Sequence, residues 1–250
     1  MKRCRLCQES KGTDTNQGLY TPLPIPDEPW REVSMDFVVG LPWTMRGLDS
    51  IMVVVDRFSK MACFLPCKTI FDASKVADLY FSAVVRHYGL PSSIVSDRDS
   101  KFIRHLWHEL WKMLGTKLKF SSPYHPQTDG QTETVNRSLG NLLRANVQEF
   151  KNWDVCLPKI EFEFNSSVNR STGFAPFQVL YGFLPRGPLD ILPVDVPNKS
   201  SKKIEDRVAN LREVHATVKA NLEQNYAKYK AKADQTRRQQ TFEVGDLVWV

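Results

Sequence analysis

The sequence predicts an α/β fold in which a mixed sheet of five strands is flanked by helices. Two observations carry this prediction. Residues 51–55 read Ile-Met-Val-Val-Val, and a continuous β-branched run of this kind is typical of a buried central strand. Three apolar runs with short links come first, and helices and strands then alternate along the chain.

The three apolar runs are predicted to be strands over residues 33–39, 50–56 and 61–66, and their short links favour an antiparallel meander. Apolar residues at helical spacing predict a helix over 73–88, which Gly89 and Pro91 end. Further strands are expected at 93–96 and 117–120, with helices at 102–114, 131–150 and 153–165. This order matches the ribonuclease-H-like architecture, although the alternation alone fits several α/β folds.

The segments outside this core differ in composition. Residues 21–29 and 182–201 are rich in proline or glycine and are expected to be linkers. A long helix is predicted over 202–238, where apolar residues alternate four and three apart; it either packs on its own domain or forms a coiled coil. Residues 242–250 are expected to form the first strand of a small β-barrel.

The formal net charge of +6 is concentrated near the C-terminus. Eleven Lys or Arg and five Asp or Glu lie between Lys199 and Arg238, whereas the rest of the chain is balanced. A basic segment beside a neutral domain indicates either a polyanionic partner, foremost nucleic acid, or an ordinary solvated helix face.

Membrane and secreted classes are not favoured by the composition. No run approaches the ~20 apolar residues that span a bilayer. The five cysteines are odd in number and scattered, which favours reduced thiols over a disulfide framework.

Three acidic residues occupy positions where soluble folds rarely place them. Asp36 lies inside an apolar strand, Asp97 directly follows another, and Glu133 begins a helix. If the two strands are neighbours, the three carboxylates can meet in one crevice, where their mutual repulsion requires a cation. Hard oxygen ligands suit Mg²⁺ or Mn²⁺. The alternative is that Asp97 and Glu133 only cap or begin helices.

The spacing and the surrounding motifs are more specific than the acids alone. Thirty-five residues, 98–132, separate Asp97 from Glu133. The motifs are Trp30-Arg-Glu-Val-Ser-Met-Asp-Phe37, Val54-Val-Asp-Arg-Phe-Ser-Lys60, Ile94-Val-Ser-Asp-Arg-Asp-Ser-Lys-Phe102 and Tyr124-His-Pro-Gln-Thr-Asp-Gly-Gln-Thr-Glu-Thr-Val-Asn-Arg137. Together they resemble the integrases of gypsy-type long-terminal-repeat retrotransposons, and the resemblance covers essentially the whole chain.

The resemblance implies a catalytic core over 30–181 and a fragment of a Pol polyprotein. It implies that Asp36, Asp97 and Glu133 hold two Mg²⁺ or Mn²⁺ ions and catalyse 3′-end processing and strand transfer of DNA. It also implies a homo-oligomer that acts on element ends and target DNA in the nucleus, after a cytoplasmic particle stage.

The two ends of the chain depart from the family pattern. Cys4 and Cys7 resemble the last two ligands of the family's N-terminal zinc domain, so residues 1–20 are interpreted as a remnant of it. Two thiolates do not complete a tetrahedral site, and we expect no complete zinc site. Residues 239–250 resemble the start of the family's C-terminal SH3-like domain. The chain is therefore expected to be a truncated piece or a decayed copy.

Several polar side chains near the acids are candidate DNA contacts, with ordinary solvent exposure as the alternative for each. They are His125, Gln127, Arg137, Lys117 and Lys119. Asp56 is interpreted as a structural residue at a strand end. Two other functions stay open: another ribonuclease-H-like nuclease or transposase, and a non-catalytic DNA-binding protein.

Overall fold

Five strands form a single mixed sheet in the computed structural model of the chain, which describes residues 19–96, 105–120, 130–147, 150–187, 204–235 and 237. The strands are β1 (Glu32–Val38), β2 (Ser50–Asp56), β3 (Ala62–Cys67), β4 (Ser93–Ser96) and β5 (Lys117–Phe120). Their order is β3-β2-β1-β4-β5. The first three are antiparallel, whereas β4 pairs parallel with β1 and β5 parallel with β4. The predicted ribonuclease-H-like mixed sheet is confirmed.

Helices connect and cover these strands. They are α1 (Ala73–Tyr80), a π-helical turn (Phe81–Val85), α2 (Arg86–Tyr88), α3 (His105–Met113), α4 (Gly130–Asn146), a 3-10 turn (Phe150–Asn152), α5 (Trp153–Ser166), α6 (Pro176–Tyr181) and α7 (Ile204–Asp234). The short helix α6 was not expected from the sequence. Among the helices of the described ranges, none combines the length and apolar composition needed to cross a bilayer.

The sheet buries a different core on each face. Alternate residues of β2 belong to different cores, because successive side chains of a strand point to opposite faces. Met52 and Val54 pack with α1 and α3, whereas Ile51, Val53 and Val55 pack with α4 and α5. All seven residues of β2 are buried, as its continuous apolar run predicted.

The open edge of the sheet, β3, is covered by polar side chains of α5. Asn165 Oδ1 accepts from Ala62 N at 2.9 Å, and Asn165 Nδ2 donates to Ala62 O at 2.8 Å. Glu161 Oε2 accepts from Phe64 N at 2.7 Å. These bonds satisfy backbone groups that an edge strand otherwise offers to another chain.

The turn after β2 is organised by a buried carboxylate. Asp56 accepts hydrogen bonds from Trp30 N at 2.8 Å, Phe58 N at 3.3 Å and Ser59 N at 2.8 Å. Lys60, at a positive φ of 65°, donates to Arg57 O at 2.7 Å. Asp56 therefore has the structural role expected of it, with backbone amides as its main partners.

The chain divides into two compact units. The larger unit is Pro24–Glu223, and the smaller unit combines Met1–Leu23 with Gln224–Val250. In the larger unit, Val218 and Leu222 of α7 pack in a small core with Phe58 and Val179. The predicted long helix is therefore packed on its own domain through these residues. In the smaller unit, Tyr20 N donates to Asp234 Oδ1 at 2.6 Å.

Helix α7 carries little of the net positive charge of the basic segment 199–238. The helix Ile204–Asp234 contains six basic and five acidic residues, so it is nearly neutral. The other five basic residues of the segment lie at positions 199, 202, 203, 237 and 238 of the sequence. The predicted polyanion-binding charge thus belongs mainly to the flanks of the helix.

Candidate catalytic carboxylate site

Asp36 lies on the central strand β1, near its carboxyl end. It is directly opposite Val53 of β2, and directly opposite residues of an antiparallel pair point to the same face. Val53 packs in the core that contains Val135 and Leu139 of α4. Asp36 therefore faces the layer that α4 forms.

A hydrogen bond joins Asp36 to that helix. Asn136 Nδ2 donates to Asp36 Oδ2 at 2.6 Å, and Asp36 Oδ1 accepts from the Phe37 backbone at 2.8 Å. The amide nitrogen faces the carboxylate because an ionised carboxylate only accepts hydrogen bonds. Asn136 Oδ1 is buried and has no hydrogen-bond partner among the described residues.

The other two predicted carboxylates are partly outside the described structure. Position 133 is in the first turn of α4, three residues before Asn136, and residues three apart share a helix face. The side chain of Glu133 is not among those described. Ser96, the last residue of β4, is opposite Met35, the residue before Asp36. Asp97 follows Ser96 in the sequence and lies outside the described residues.

The candidate DNA contacts have different surroundings. Arg137 is exposed on α4 beside Asn136, and Lys117 is exposed at the start of β5. Lys119 instead pairs with Glu32, with 3.1 Å between Nζ and Oε1, and Glu32 also pairs with Arg57. Lys119 is therefore engaged in the protein. His125 and Gln127, like the cysteines Cys4 and Cys7, lie outside the described residues.

Asn136 was not singled out from the sequence. The signal available was its position three residues after Glu133 within the motif that ends at Arg137. A polar side chain one helical turn from a candidate ligand is a candidate for the same crevice. The pattern does not specify which strand residue it meets.

The donor chemistry fits a hard divalent cation. Asp36 offers carboxylate oxygens, and the neighbouring buried Asn136 Oδ1 is a neutral oxygen acceptor. Oxygen ligands of this kind suit Mg²⁺ and Mn²⁺. Among the described residues, no group of three His, Cys, Asp or Glu is assembled, and Asp97 and the Glu133 side chain are not in that set.

Comparison with known proteins gives relatives over the whole chain. No family model matches the chain. The Transposon Tf2-3 and Tf2-4 polyproteins of Schizosaccharomyces pombe are each 32% identical to it over 253 residues, which covers 100% of the chain and 18% of each polyprotein. The chain thus spans less than a fifth of the length of these curated relatives.

One solved structure shares the fold. A chain of the simian T-cell lymphotropic virus intasome in complex with PP2A regulatory subunit B56 gamma is 19% identical, with a TM-score of 0.54. The match covers 80% of this chain and 69% of that chain. The HTLV-2 integrase catalytic core domain in complex with magnesium, in its dimeric form, is 18% identical with a TM-score of 0.48, and covers 60% of this chain and 96% of that one.

Proposed function

We propose that this chain, which matches one segment of the Tf2-type transposon polyproteins, is the integrase catalytic core of such an element. The proposed activity is metal-dependent polynucleotidyl transfer: 3′-end processing of the element's DNA, followed by strand transfer into target DNA. Its partners are then element ends and target DNA, and its place of action is the nucleus, after a cytoplasmic particle stage.

One observation carries this proposal. Asp36 is turned toward α4, where Asn136 donates to it at 2.6 Å, and position 133 is one turn earlier on that helix. The parallel pairing of β1 with β4 ends at Ser96, directly before Asp97 in the sequence. This topology supports a site in which Asp36, Asp97 and Glu133 converge.

In this proposal Asp36, Asp97 and Glu133 hold Mg²⁺ or Mn²⁺. Bound there, two such ions would supply the positive charge that an in-line displacement needs at its attacking and leaving oxygens. Asn136 orients the Asp36 carboxylate by its hydrogen bond. Such a bond to a ligand fixes the direction of the oxygen lone pairs and strengthens metal binding.

The chain's own basic groups would bind the DNA backbone. Arg137 is exposed one residue beyond Asn136, which suits a contact with a phosphate near the reacting ends. Lys117, His125 and Gln127 remain proposed contacts. Lys119 takes this role only if it leaves Glu32.

Strand transfer of labelled element-end DNA into a plasmid tests the function. The chain is assayed with the flanking polyprotein sequence that its element encodes, with Mg²⁺ or Mn²⁺. Asp36→Asn keeps the side-chain shape but removes the charge, and activity is expected to fall more than about 100-fold, beyond the loss typical of an outer-shell residue.

Asp78→Asn is the matched control, because Asp78 is exposed on α1, in the layer on the other face of the sheet. It should retain full activity. Equal activity of the unchanged protein and Asp36→Asn would contradict the assignment. Cleavage of an RNA–DNA hybrid without any joining would instead favour a ribonuclease-H-like nuclease.

A further inference from the structure

The loop between β1 and β2, residues 39–49, exposes large apolar side chains. Trp43 is 59% exposed and Met45 is 78% exposed. Val155, at the start of α5 against which this loop is bonded, is 64% exposed. A tryptophan that is more than half exposed is unusual, because its large ring is normally at least half covered.

The loop is held firmly despite this exposure. Within it, Leu41 N donates to Asp49 O at 3.1 Å, and Thr44 N donates to Leu48 O at 2.9 Å. Three bonds tie it to the 3-10 turn before α5 and to the start of α5. Met45 N donates to Lys151 O of the turn at 3.1 Å, Trp153 Nε1 donates to Pro42 O at 2.7 Å, and Arg46 Nε donates to Asp154 Oδ2 at 2.6 Å. Trp43 is therefore presented on a preorganised frame, which lowers the entropy lost when it binds something.

The charges around Trp43 differ between surface and interior. The exposed groups are cationic: Arg46 and Lys151, with Lys68 Nζ only 3.6 Å from where a Cβ of Gly47 would lie. Of the two acidic groups, Asp154 is turned inward, with a side chain that is 2% exposed and accepts from Arg46 Nε, whereas the Arg46 side chain is 61% exposed. Asp49 is half-buried. Asp49 accepts from Thr69 N at 2.7 Å and from Ser50 Oγ at 3.1 Å. A ligand that contacts Trp43 and the surface beside it therefore meets an apolar ring and more exposed cationic than anionic groups.

The position of the loop relates it to the proposed site. It follows the carboxyl end of β1, the end near which Asp36 lies. Trp43 is seven positions after Asp36 in the sequence, at most about 24 Å of extended chain. A DNA strand that reaches Asp36 is long enough to pass over this loop.

We propose that Trp43 is a nucleobase-stacking contact for unpaired nucleotides of the DNA on which this protein acts. Lys68 and the exposed part of the Arg46 guanidinium, whose Nε stays bonded to Asp154, would lie near the adjoining phosphates. This inference rests on the proposed function for the identity of the ligand. An indole face stacks on any base, and cationic groups beside it track the backbone, which is how sequence-tolerant single-strand contacts are built. A purely apolar protein partner does not call for the cationic border.

Binding of fluorescein-labelled single-stranded DNA of about 12 nucleotides, a length within the usual site size, tests the contact. The 250-residue chain is titrated in EDTA, so that no metal-dependent chemistry takes part. Trp43→Ala is expected to weaken binding about 5- to 20-fold, and Trp43→Phe to restore most of the loss. Val168→Ala, which trims another exposed apolar side chain, should bind as the unchanged chain does.

An oligonucleotide of the same length with abasic sites separates base stacking from phosphate contact. The unchanged chain and Trp43→Ala should bind it equally, because it keeps the phosphates and lacks the bases. An equal loss on both oligonucleotides, or no loss on either, would overturn the proposal. So would unchanged DNA affinity with a lower sedimentation mass for Trp43→Ala, which would assign the surface to a second copy of the chain. Failure of strand transfer alone would refute the proposed function and leave these binding results intact.

Discussion

Asn136 Nδ2 donates a 2.6 Å hydrogen bond to Asp36 Oδ2, and the two residues lie 100 positions apart in the sequence. The bond ties helix α4, which carries Glu133, to the central strand β1. It fixes the direction of one carboxylate of the proposed metal site, and this role can be measured.

Asn136→Ala is expected to weaken Mn²⁺ binding about 10- to 100-fold, because the Asp36 carboxylate loses the amide that orients it. Titration calorimetry on the chain measures this affinity without any DNA. Ser138→Ala is the control on the same helix, where the exposed hydroxyl donates to Thr134 O. Unchanged Mn²⁺ affinity in Asn136→Ala would show that Asp36 needs no such support.

Asp56→Ala is expected to lower the free energy of unfolding by more than about 3 kcal/mol, because each buried amide left without a partner costs about 1–3 kcal/mol. The substitution leaves the backbone amides of Trp30, Phe58 and Ser59 without their acceptor inside the protein. Urea denaturation followed by circular dichroism measures the change. Asp78→Ala, at an exposed position, should stay within about 0.5 kcal/mol, and a similarly small effect for Asp56→Ala would rule out the structural role.

Glu161→Gln is expected to stabilise the protein at neutral pH. Burial raises the pKa of the Glu161 carboxyl, so its ionised form is disfavoured in the folded state. The stability that Glu161 contributes is complete below the ordinary carboxyl pKa and is lost as pH rises through the raised pKa. Glutamine keeps an acceptor for Phe64 N and carries no charge.

The melting temperature of Glu161→Gln should therefore exceed that of the unchanged chain by a margin that grows as pH rises from the ordinary carboxyl pKa through the raised pKa of Glu161. This difference in melting temperature should disappear in acid, where both side chains are neutral. Glu163→Gln, at the other side of the same helix turn, is the control. A constant difference at every pH would contradict the role of ionisation.

Leu222→Ala is expected to destabilise the protein by about 2–4 kcal/mol, because the side chain is fully buried in the small core beside Phe58 and Val218. Val208→Ala, on the same helix but 43% exposed, should cost much less. Sedimentation equilibrium adds the decisive comparison. An unchanged mass in Leu222→Ala fits packing within the chain, and a lower mass would mean that the helix pairs with another copy.

The strands and most helices could be predicted from the sequence, since their signals are local. The run Ile51–Val55 predicted a fully buried strand because both faces of a central strand need apolar residues. Gly89 marked the end of the helical segment, where the chain takes a φ of 80°. Asp36 was identified for a related reason: a charged residue is unexpected within an apolar strand.

The tertiary structure alone decided which distant side chains meet. The partners of Asp36, of Lys119 and of the β3 edge lie between 87 and 103 residues away in the sequence. Strand register and helix packing set such contacts. Local periodicity indicates which face of an element a residue lies on, but not which distant residue it meets there. The sequence by itself determined the elements and the candidate acids. Packing decided that Asn136 supports Asp36, that Lys119 is paired, and that Trp43 is held in solvent.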